Sequence, residues 1–459
     1  MFWRGVLGYL PANIVQGLIG FLSLYVFTRL LSPEAYGQYA VAYAVVSLVH
    51  TALFTWIEAA MARFQVGAAD AGREAEHART LHQLFIWMSG GLALAVAVSL
   101  LARPWAPELA RAVSIGLVAA WFRCLMRLAQ ERSRAEGEVG RFVALDMTYA
   151  VVGFGAGAAL AVAGLGGGAP LAGAGLACLL CVAWTQASER RRRAGGVFRP
   201  ELARAYAAYG LPVSLSLILS IGLFSIDRLL IAALLGDAAA GAYHAGYSVA
   251  NRTLDVLFIW LGAASSPALV AALERGGPGA VREAARPHAD LMVLIGLPAA
   301  VGVALVAQPL AAVMVGPELR DQAARVTPWI ALAALFSGFT TYYLHQAFTL
   351  GRRTGLLLAA MTLPLAANVL LNLLLIPRFG LDGAAWATAA SFALGALASW
   401  ALGGRAQSLP VPLAALGRCG LACALMALAV LATPALGGVA ELALKADVGA
   451  AVYAATALA

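Results

Sequence analysis

The segment LSPEAYGQYAVAYAVVSLVHTALFTWIEAA, residues 31–60, returns 204 residues later and without a gap as LGDAAAGAYHAGYSVANRTLDVLFIWLGAA, residues 235–264. Eleven of the thirty aligned positions are identical. Ala and Leu matches mean little in so apolar a chain, where composition alone supplies roughly four or five identities. The weight falls on Gly37 with Gly241, Tyr39 with Tyr243, Tyr43 with Tyr247, Val45 with Val249, Phe54 with Phe258 and Trp56 with Trp260. Each copy reads as turn residues followed by one long apolar helix. Six crossings separate them, so both copies enter the membrane in the same direction. Parallel repeats of this kind are related by an axis along the membrane normal, and transporters bind substrate near the midplane where the repeats meet. An enzyme has no need of the duplication.

Outward from the repeat, the 459 residues are 62% hydrophobic and 12% charged, with a mean hydropathy of +0.82. Soluble domains carry about twice that share of charge. Uncharged runs such as Gly5–Thr28, Leu291–Pro317 and Val326–Gly351 reach or pass the roughly 20 residues that cross a bilayer as helix. A secreted disulfide scaffold, a nucleic-acid-binding domain and a soluble sheet core are excluded, because lipid-facing backbone must satisfy its own hydrogen bonds. Charge-free runs predict thirteen spans, near 5–28, 37–57, 81–102, 109–130, 142–164, 169–187, 209–235, 238–272, 291–315, 326–350, 354–376, 383–404 and 411–433. The 42 uncharged residues from Met147 to Ser188 split at Gly164-Leu-Gly-Gly-Gly-Ala-Pro170, a turn composition. The apolar stretch Val448–Ala459 has only twelve residues, too few for a fourteenth span.

Thirty of the 31 basic residues are Arg. Alternating the loops with an inner N-terminus places 21 of the 31 inside and 7 outside, with Arg123, Arg228 and Arg252 in spans. This asymmetry predicts a cytoplasmic N-terminus, and Arg4 followed by a long apolar run predicts an uncleaved first span. The basic loop Glu189–Arg204, with its Arg190–Arg193 run, reads as a linker that anchors topology and touches anionic headgroups. The expected organisation is a lobe at 1–187, a cytoplasmic linker at 188–205, a second lobe at 206–404 and additional helical sequence at 405–459. Cys124, Cys178, Cys181, Cys419 and Cys423 fall inside apolar runs, and Cys178-x-x-Cys181 lacks the further ligands of a metal site. No P-loop, HExxH or nucleophile elbow is present, no cofactor is expected, and Gly153-Phe-Gly155-Ala-Gly157 reads as a small-residue helix contact.

Three stretches carry a family likeness. SLYVFTRLLSPEAYGQYAVA (23–42) resembles the first loop of the bacterial polysaccharide-repeat-unit flippases of the multidrug/oligosaccharidyl-lipid/polysaccharide exporter superfamily. SIDRLLIAALLGDAAAGAYHAGYSVA (225–250) is similar to that family's seventh-span motif, and NVLLNLLLIPRFGLDGAAWAT (368–388) to its eleventh-to-twelfth-span motif. The resemblance implies an all-α integral membrane fold of twelve core spans, in two pseudo-symmetric six-helix lobes around a central cavity, with one or two C-terminal helices. It implies alternating access that moves an undecaprenyl-diphosphate-linked oligosaccharide from the cytoplasmic to the outer leaflet of the bacterial inner membrane, for surface polysaccharide synthesis. The short final segment departs from the fourteen-span members.

Such a cargo needs a hydrophilic path for sugar and diphosphate while its tail stays in lipid. Ionisable residues at membrane depth cost about 2.5–3.5 kcal/mol each and usually face a cavity or a partner. Arginine's planar fork suits phosphate, so Arg228, Arg252, Arg29 and Arg123 are the candidate substrate-binding residues. Asp227 and Asp255 are candidates for coupling to a proton or sodium ion. Each has a structural alternative: Arg252 can pair with Asp255, Asp227 with Arg228, Arg127 with Glu131, and Arg29 can snorkel. Glu58, Arg63, Arg127, Arg141 and Asp146 fall near inner span ends and read as a charge network or an inner gate. Asn13, Gln16, His345, Gln346, Asn368 and Asn372 can line a sugar path or bond helix to helix, and Tyr342 and Tyr343 can stack or pack. A cation-coupled drug or metabolite exporter of the same superfamily is the alternative, and it calls for a compact apolar pocket with carboxylates. A membrane glycosyltransferase or polymerase would be expected to carry a large outer loop, which is missing.

Overall fold

The computed structural model describes the backbone of residues 2–101 and 106–457, and the side chains there except at 2–10, 263–266 and 354. Arg103, which entered the orientation count, lies outside these residues, as do the Arg4 side chain and the last two residues of the terminal apolar stretch. Every regular element described is helical. By packing the chain forms two compact units, Met1–Ala232 and Ala233–Ala459.

In the first unit, α1 (Phe2–Leu30) packs on α6 (Val139–Val162), and α6 on α7 (Ala169–Arg193). Between them in sequence come α2 (Pro33–Leu53), α3 (Thr55–Asp70), α4 (Glu74–Leu101) and α5 (Pro107–Ala135), and α5 touches α2, α3, α4, α6 and α7. The repeated segment starts α2 by familiar chemistry: Ser32 Oγ accepts the Ala35 N–H as N-cap, and Pro33 occupies the first turn, where its missing N–H costs nothing. At Phe54 the helix bends by 49° into α3. The predicted Gly-rich turn between α6 and α7 is real, with Gly164 at φ 86° and Gly166 at φ 62°. Beyond it the two helices meet backbone to backbone, since a Cβ on Gly173 would lie 2.3 Å from the Gly157 nitrogen. Gly153 and Gly157 form this contact, while Gly155 faces open space.

The second unit reverses direction within two long helical elements. At 1.5 Å per residue, α9 (Asp237–Leu305, 69 residues) is far too long for one crossing, and it breaks at Gly277, whose φ of 68° and ψ of −163° suit glycine. Next, α13 (Thr354–Gly403, 50 residues) breaks in the same way at Gly380. Between them α10 (Ala307–Met314) and α11 (Pro317–Phe339) run through a π-helical turn at Thr340–Leu344 into α12 (Gln346–Leu350). Last come α14 (Leu413–Leu431) and α15 (Gly438–Ala457), and α8 (Pro200–Leu235) precedes α9.

Nine described helices are long and apolar enough to cross a membrane, and the bent pair α2–α3 makes a tenth. With α9 and α13 each crossing twice and the α11–α12 segment added, the chain has twelve core spans, as expected, followed by α14 and α15. The repeat is visible in side chains: Tyr39 and Tyr43 place their ring centres 6.2 Å apart, as do Tyr243 and Tyr247. Phe54 and Phe258 are both buried.

Several boundaries differ from the charge-free runs because helices continue past the hydrocarbon. The basic run Arg190–Arg193 ends α7 rather than forming a loop, α8 already starts at Pro200, and the region of Arg275, Arg282 and Arg286 is helical. Only residues 194–199 of the basic segment are non-helical. They lie tightly on α4: a Cβ on Gly196 would sit 2.1 Å from the Ala75 carbonyl oxygen, and Arg199 N–H donates to Thr80 Oγ1 at 3.1 Å. The C-terminal segment is a 20-residue helix, longer than its apolar stretch suggested. Charge supports the extra turns, since Lys445 donates to Glu441 at 2.5 Å and Glu441 accepts the Gly437 N–H at 2.9 Å.

Candidate functional site

The interior of the first unit holds a polar group that five helices assemble. Helix α5 brings Arg123 and Arg127, four residues apart and so on one face, both half-buried. The Arg123 guanidinium lies 5.7 Å from the centre of the Tyr149 ring of α6, and Tyr43 of α2 also acts on it. Among the described residues no carboxylate comes within ion-pair distance of Arg123. Arg127 donates to Gln130 Oε1 at 3.3 Å, and Gln130 donates to Asp146 Oδ1 at 2.9 Å. The other oxygen of Asp146 accepts from Gln16 of α1 at 2.5 Å. Across the bend at Phe54, His50 Nε2 lies 2.9 Å from Glu58 Oε1, both side chains being buried. The fields of Arg127 and Arg123 both reach that carboxylate.

Two guanidinium groups and two carboxylates therefore share one interior wall, where Asp146 accepts hydrogen bonds at both oxygens and Glu58 is bonded at one. Arg123 is held by aromatic faces, an arrangement that leaves its N–H fork able to take a bidentate anion. Glu58, Arg127 and Asp146 stand together here as a network. Arg141 and Arg63 do not join it: Arg141 bonds Ser188 and Glu138, and Arg63 lies over the Phe64 ring at 5.8 Å. The expected Arg127–Glu131 pair is absent, because Glu131 pairs with Arg134 at 3.2 Å.

The other candidates are placed separately. Arg29 is exposed and folds back on its own helix, donating to the Tyr25 carbonyl at 2.8 Å and covering the Tyr25 ring at 3.7 Å. On α8, Asp227 and Arg228 are both buried, and Arg228 Nη1 donates to the Phe224 carbonyl. In the second unit Arg252 and Asp255 are exposed on α9. They form no ion pair with each other, and Tyr342 of the π-helical turn acts on the Asp255 carboxylate. Asn372 donates to Asn368 Oδ1 at 3.1 Å, His345 lies 3.3 Å from Ser399 Oγ, and Tyr343 donates to the Pro410 carbonyl at 2.7 Å. Those polar side chains bond within and between helices. All five cysteines are buried and unbridged, and no group of three or more His, Cys, Asp or Glu among the described residues can hold a metal ion.

Residues 26–323 match the family model described as polysaccharide biosynthesis protein. The chain belongs to this family. Residues 26–42 of the first stretch and the whole of 225–250 fall inside the matched region, so the polysaccharide-family likeness read from them holds at the family level. No curated protein matches the chain. Among solved structures this family member resembles the lipid II flippase MurJ in an inward closed conformation, at TM-score 0.78 and 13% identity over 98% of both chains. It also resembles an inward-facing multidrug resistance MATE transporter of the MOP superfamily, at TM-score 0.66 and 16% identity over 85% of this chain and 94% of that one. A further likeness is to the eukaryotic MATE transporter AtDTX14, at TM-score 0.53 and 14% identity, over 97% of this chain and 100% of the other. Identities this low establish the shared fold.

Within this polysaccharide biosynthesis protein, sequence reasoning missed His50, Gln130 and Tyr149 as members of the polar wall. Gln130 had a readable signal, being one turn beyond Arg127 on α5. His50 had none, because its pairing with Glu58 depends on the bend at Phe54, where the second copy of the repeat continues as one helix.

Proposed function

We propose that the protein is a flippase that carries a polyprenyl-diphosphate-linked oligosaccharide, of the undecaprenyl repeat-unit type, from the cytoplasmic to the periplasmic leaflet by alternating access. Arg123 is the observation that carries this reading. A guanidinium at membrane depth, braced by rings instead of a carboxylate, has capacity left for a diphosphate, and the exposed Gln16 and Tyr43 beside the same wall offer hydrogen bonds and a stacking face to sugars. Arg228, Arg252 and Arg29 are further contacts along the path, and Asp227 and Asp255 the sites where proton or sodium binding couples to the cycle. The transport lobes are 1–187 and 206–404, joined by the segment 188–205, and residues 405–459 stand outside the moving core. Translocation makes and breaks no covalent bond, so no catalytic residue or cofactor is assigned, and the protein acts in the bacterial inner membrane.

Deleting the protein and locating the lipid-linked repeat unit tests the proposal. Accumulation on the cytoplasmic leaflet with loss of surface glycan, restored by the wild type but not by Arg123→Ala, is the expected result. The buried carboxylates Glu58 and Asp146 favour a second reading, a cation-coupled exporter of the same superfamily. Unchanged surface glycan with altered drug tolerance decides for that alternative.

A further inference from the structure

A second feature of the first unit lies apart from the interior polar wall, at the level where α4 begins and α5 and α7 end. A cavity of about 30 Å³ opens there between these helices and α3. Its apolar lining is Met61, Leu81, Leu125, Leu128 and Val182, with Arg132 buried among the lining residues, and the partly exposed His82, Gln186, Glu189 and Arg193 make its polar mouth. That volume takes roughly two water molecules or the leading oxygens of one phosphate, and it is too small for a sugar.

Charge around the mouth is out of balance. Arg132 pairs with Glu189, but Arg141 also lies 3.8 Å from the same carboxylate, so one acid serves two cations. Arg132 itself is 2% exposed, and its Nε is buried without a hydrogen-bond partner. Arg79, Arg190 and Arg193 make no ion pair or side-chain hydrogen bond among the described residues. Arg132, Arg190 and Arg79 all repel the Arg193 guanidinium, with Glu189 alone opposing them. The neighbouring Arg192 is different, since Glu74 at 2.5 Å and Glu136 at 2.8 Å neutralise it. Arginines left crowded at the rim of an amphipathic inter-helix cavity, beside others that are paired, make an oxyanion site in need of its anion. Basic pockets between transmembrane helices at headgroup level recognise anionic lipids in this way.

We propose that this cavity binds the headgroup phosphate of an anionic glycerophospholipid, with the phosphate oxygens entering between Arg193 and Arg132, Arg79 adding its charge beside Arg193, and the lipid's glycerol and acyl chains staying outside the cavity in the bilayer. The site is independent of the flippase reading. The acyl chains, which stay in the bilayer, are what favour a lipid phosphate over a free one, and the arginines are what select an anionic lipid over a zwitterionic one.

The test measures the thermal unfolding midpoint of the full chain in neutral detergent during titration with dioctanoyl-phosphatidylglycerol, dioctanoyl-phosphatidylcholine or inorganic phosphate. Ligand that binds only the folded protein raises the midpoint with concentration. Phosphatidylglycerol is expected to do so, with a half-maximal concentration at least about tenfold higher in Arg79→Gln/Arg193→Gln, a loss of about 1.4 kcal/mol. The control Arg325→Gln, which removes an arginine paired with Asp382, is expected to leave the titration unchanged. Equal response to phosphatidylcholine, equal response to free phosphate, or no change in the double variant overturns the proposal. Should the double variant not fold, native mass spectrometry of the wild type in mixed micelles decides: retention of phosphatidylglycerol over phosphatidylcholine supports the site, and equal retention of the two overturns it.

Discussion

Arg123 and Asp146 sit on the same interior wall yet should fail in different ways when altered. Arg123 is braced by Tyr149 and has no ion pair to break, so Arg123→Ala is expected to leave membrane abundance unchanged while lowering transport roughly 10- to 100-fold, the range for one lost charge-assisted hydrogen bond. Arg123→Lys should recover only part of this, because an ammonium cannot bind bidentately. Assay of repeat-unit translocation in vesicles, normalised to protein, checks both. Asp146 instead satisfies Gln16 and Gln130. Asp146→Ala leaves two amides without their acceptor and should cost about 1–3 kcal/mol of stability, read as a lower thermal midpoint, with Asp146→Asn milder. An equal loss in both variants would mean that ionisation, not shape, matters at this position. The difference between the two residues marks the limit of the sequence: Arg123, Glu58 and Asp146 were legible as ionisable groups inside apolar runs, but their partners were not. Gln16 and Asp146 are separated by 130 residues, and only the packing of α1 on α6 makes them neighbours.

At the scale of elements, glycine decides where two helices can touch and where one helix can turn back. Gly173→Ala would thrust a methyl against the Gly157 backbone at 2.3 Å. Backbone cannot rotate away as a side chain can, so overpacking should cost about 1–3 kcal/mol or more and reduce monodisperse protein in gel filtration. Gly155→Ala, which meets nothing within 4 Å, is the matched control and should be silent. The reversals at Gly277 and Gly380 were legible in outline, from charge-bearing interruptions of apolar runs, whereas the extent of the flanking helices was not. Apolarity reports the length inside the hydrocarbon, and helices such as α5 and α7 continue beyond it on salt bridges. The C-terminal helix α15 illustrates this support. Its Glu441 carboxyl is held below the ordinary 4.5 by the Lys445 side chain and then by the Gly437 N–H. A depressed carboxylate pKa contributes stability that is present above 4.5 and lost as pH falls through the lower folded value. Wild type should therefore exceed Glu441→Gln in thermal midpoint near pH 7, and the difference should shrink as pH falls below 4.5. A gap that survives acidification would assign the effect to something other than the carboxylate.

At the scale of the whole molecule, the two copies of one segment preserve their tyrosine spacing and their buried phenylalanine, and they diverge just beyond that ring. In the first copy the bend at Phe54 brings Glu58 to His50. In the second, Gly262 stands at the position of Glu58 and packs beneath the Tyr342 ring, and Phe258 fills the space between Gly296 and Gly338. The first unit thus has a buried His50–Glu58 pair where the second has a glycine against a ring, and Arg252 and Asp255 of the second copy stand at exposed positions instead. Direction of transport depends on orientation, and the arginine bias predicts that the 194–199 segment is inside and the Gly164–Gly166 turn outside. Single cysteines introduced at Gly195 and Gly166, both at positive φ in surface turns with open space around them, test this in a background with the five buried cysteines replaced by alanine. A membrane-impermeant maleimide applied to intact spheroplasts should label Gly166→Cys and spare Gly195→Cys until the membrane is opened. The reverse pattern would put the crowded arginines on the outer face and turn the flippase around, so that the diphosphate-linked glycan could no longer enter from the side on which it is made.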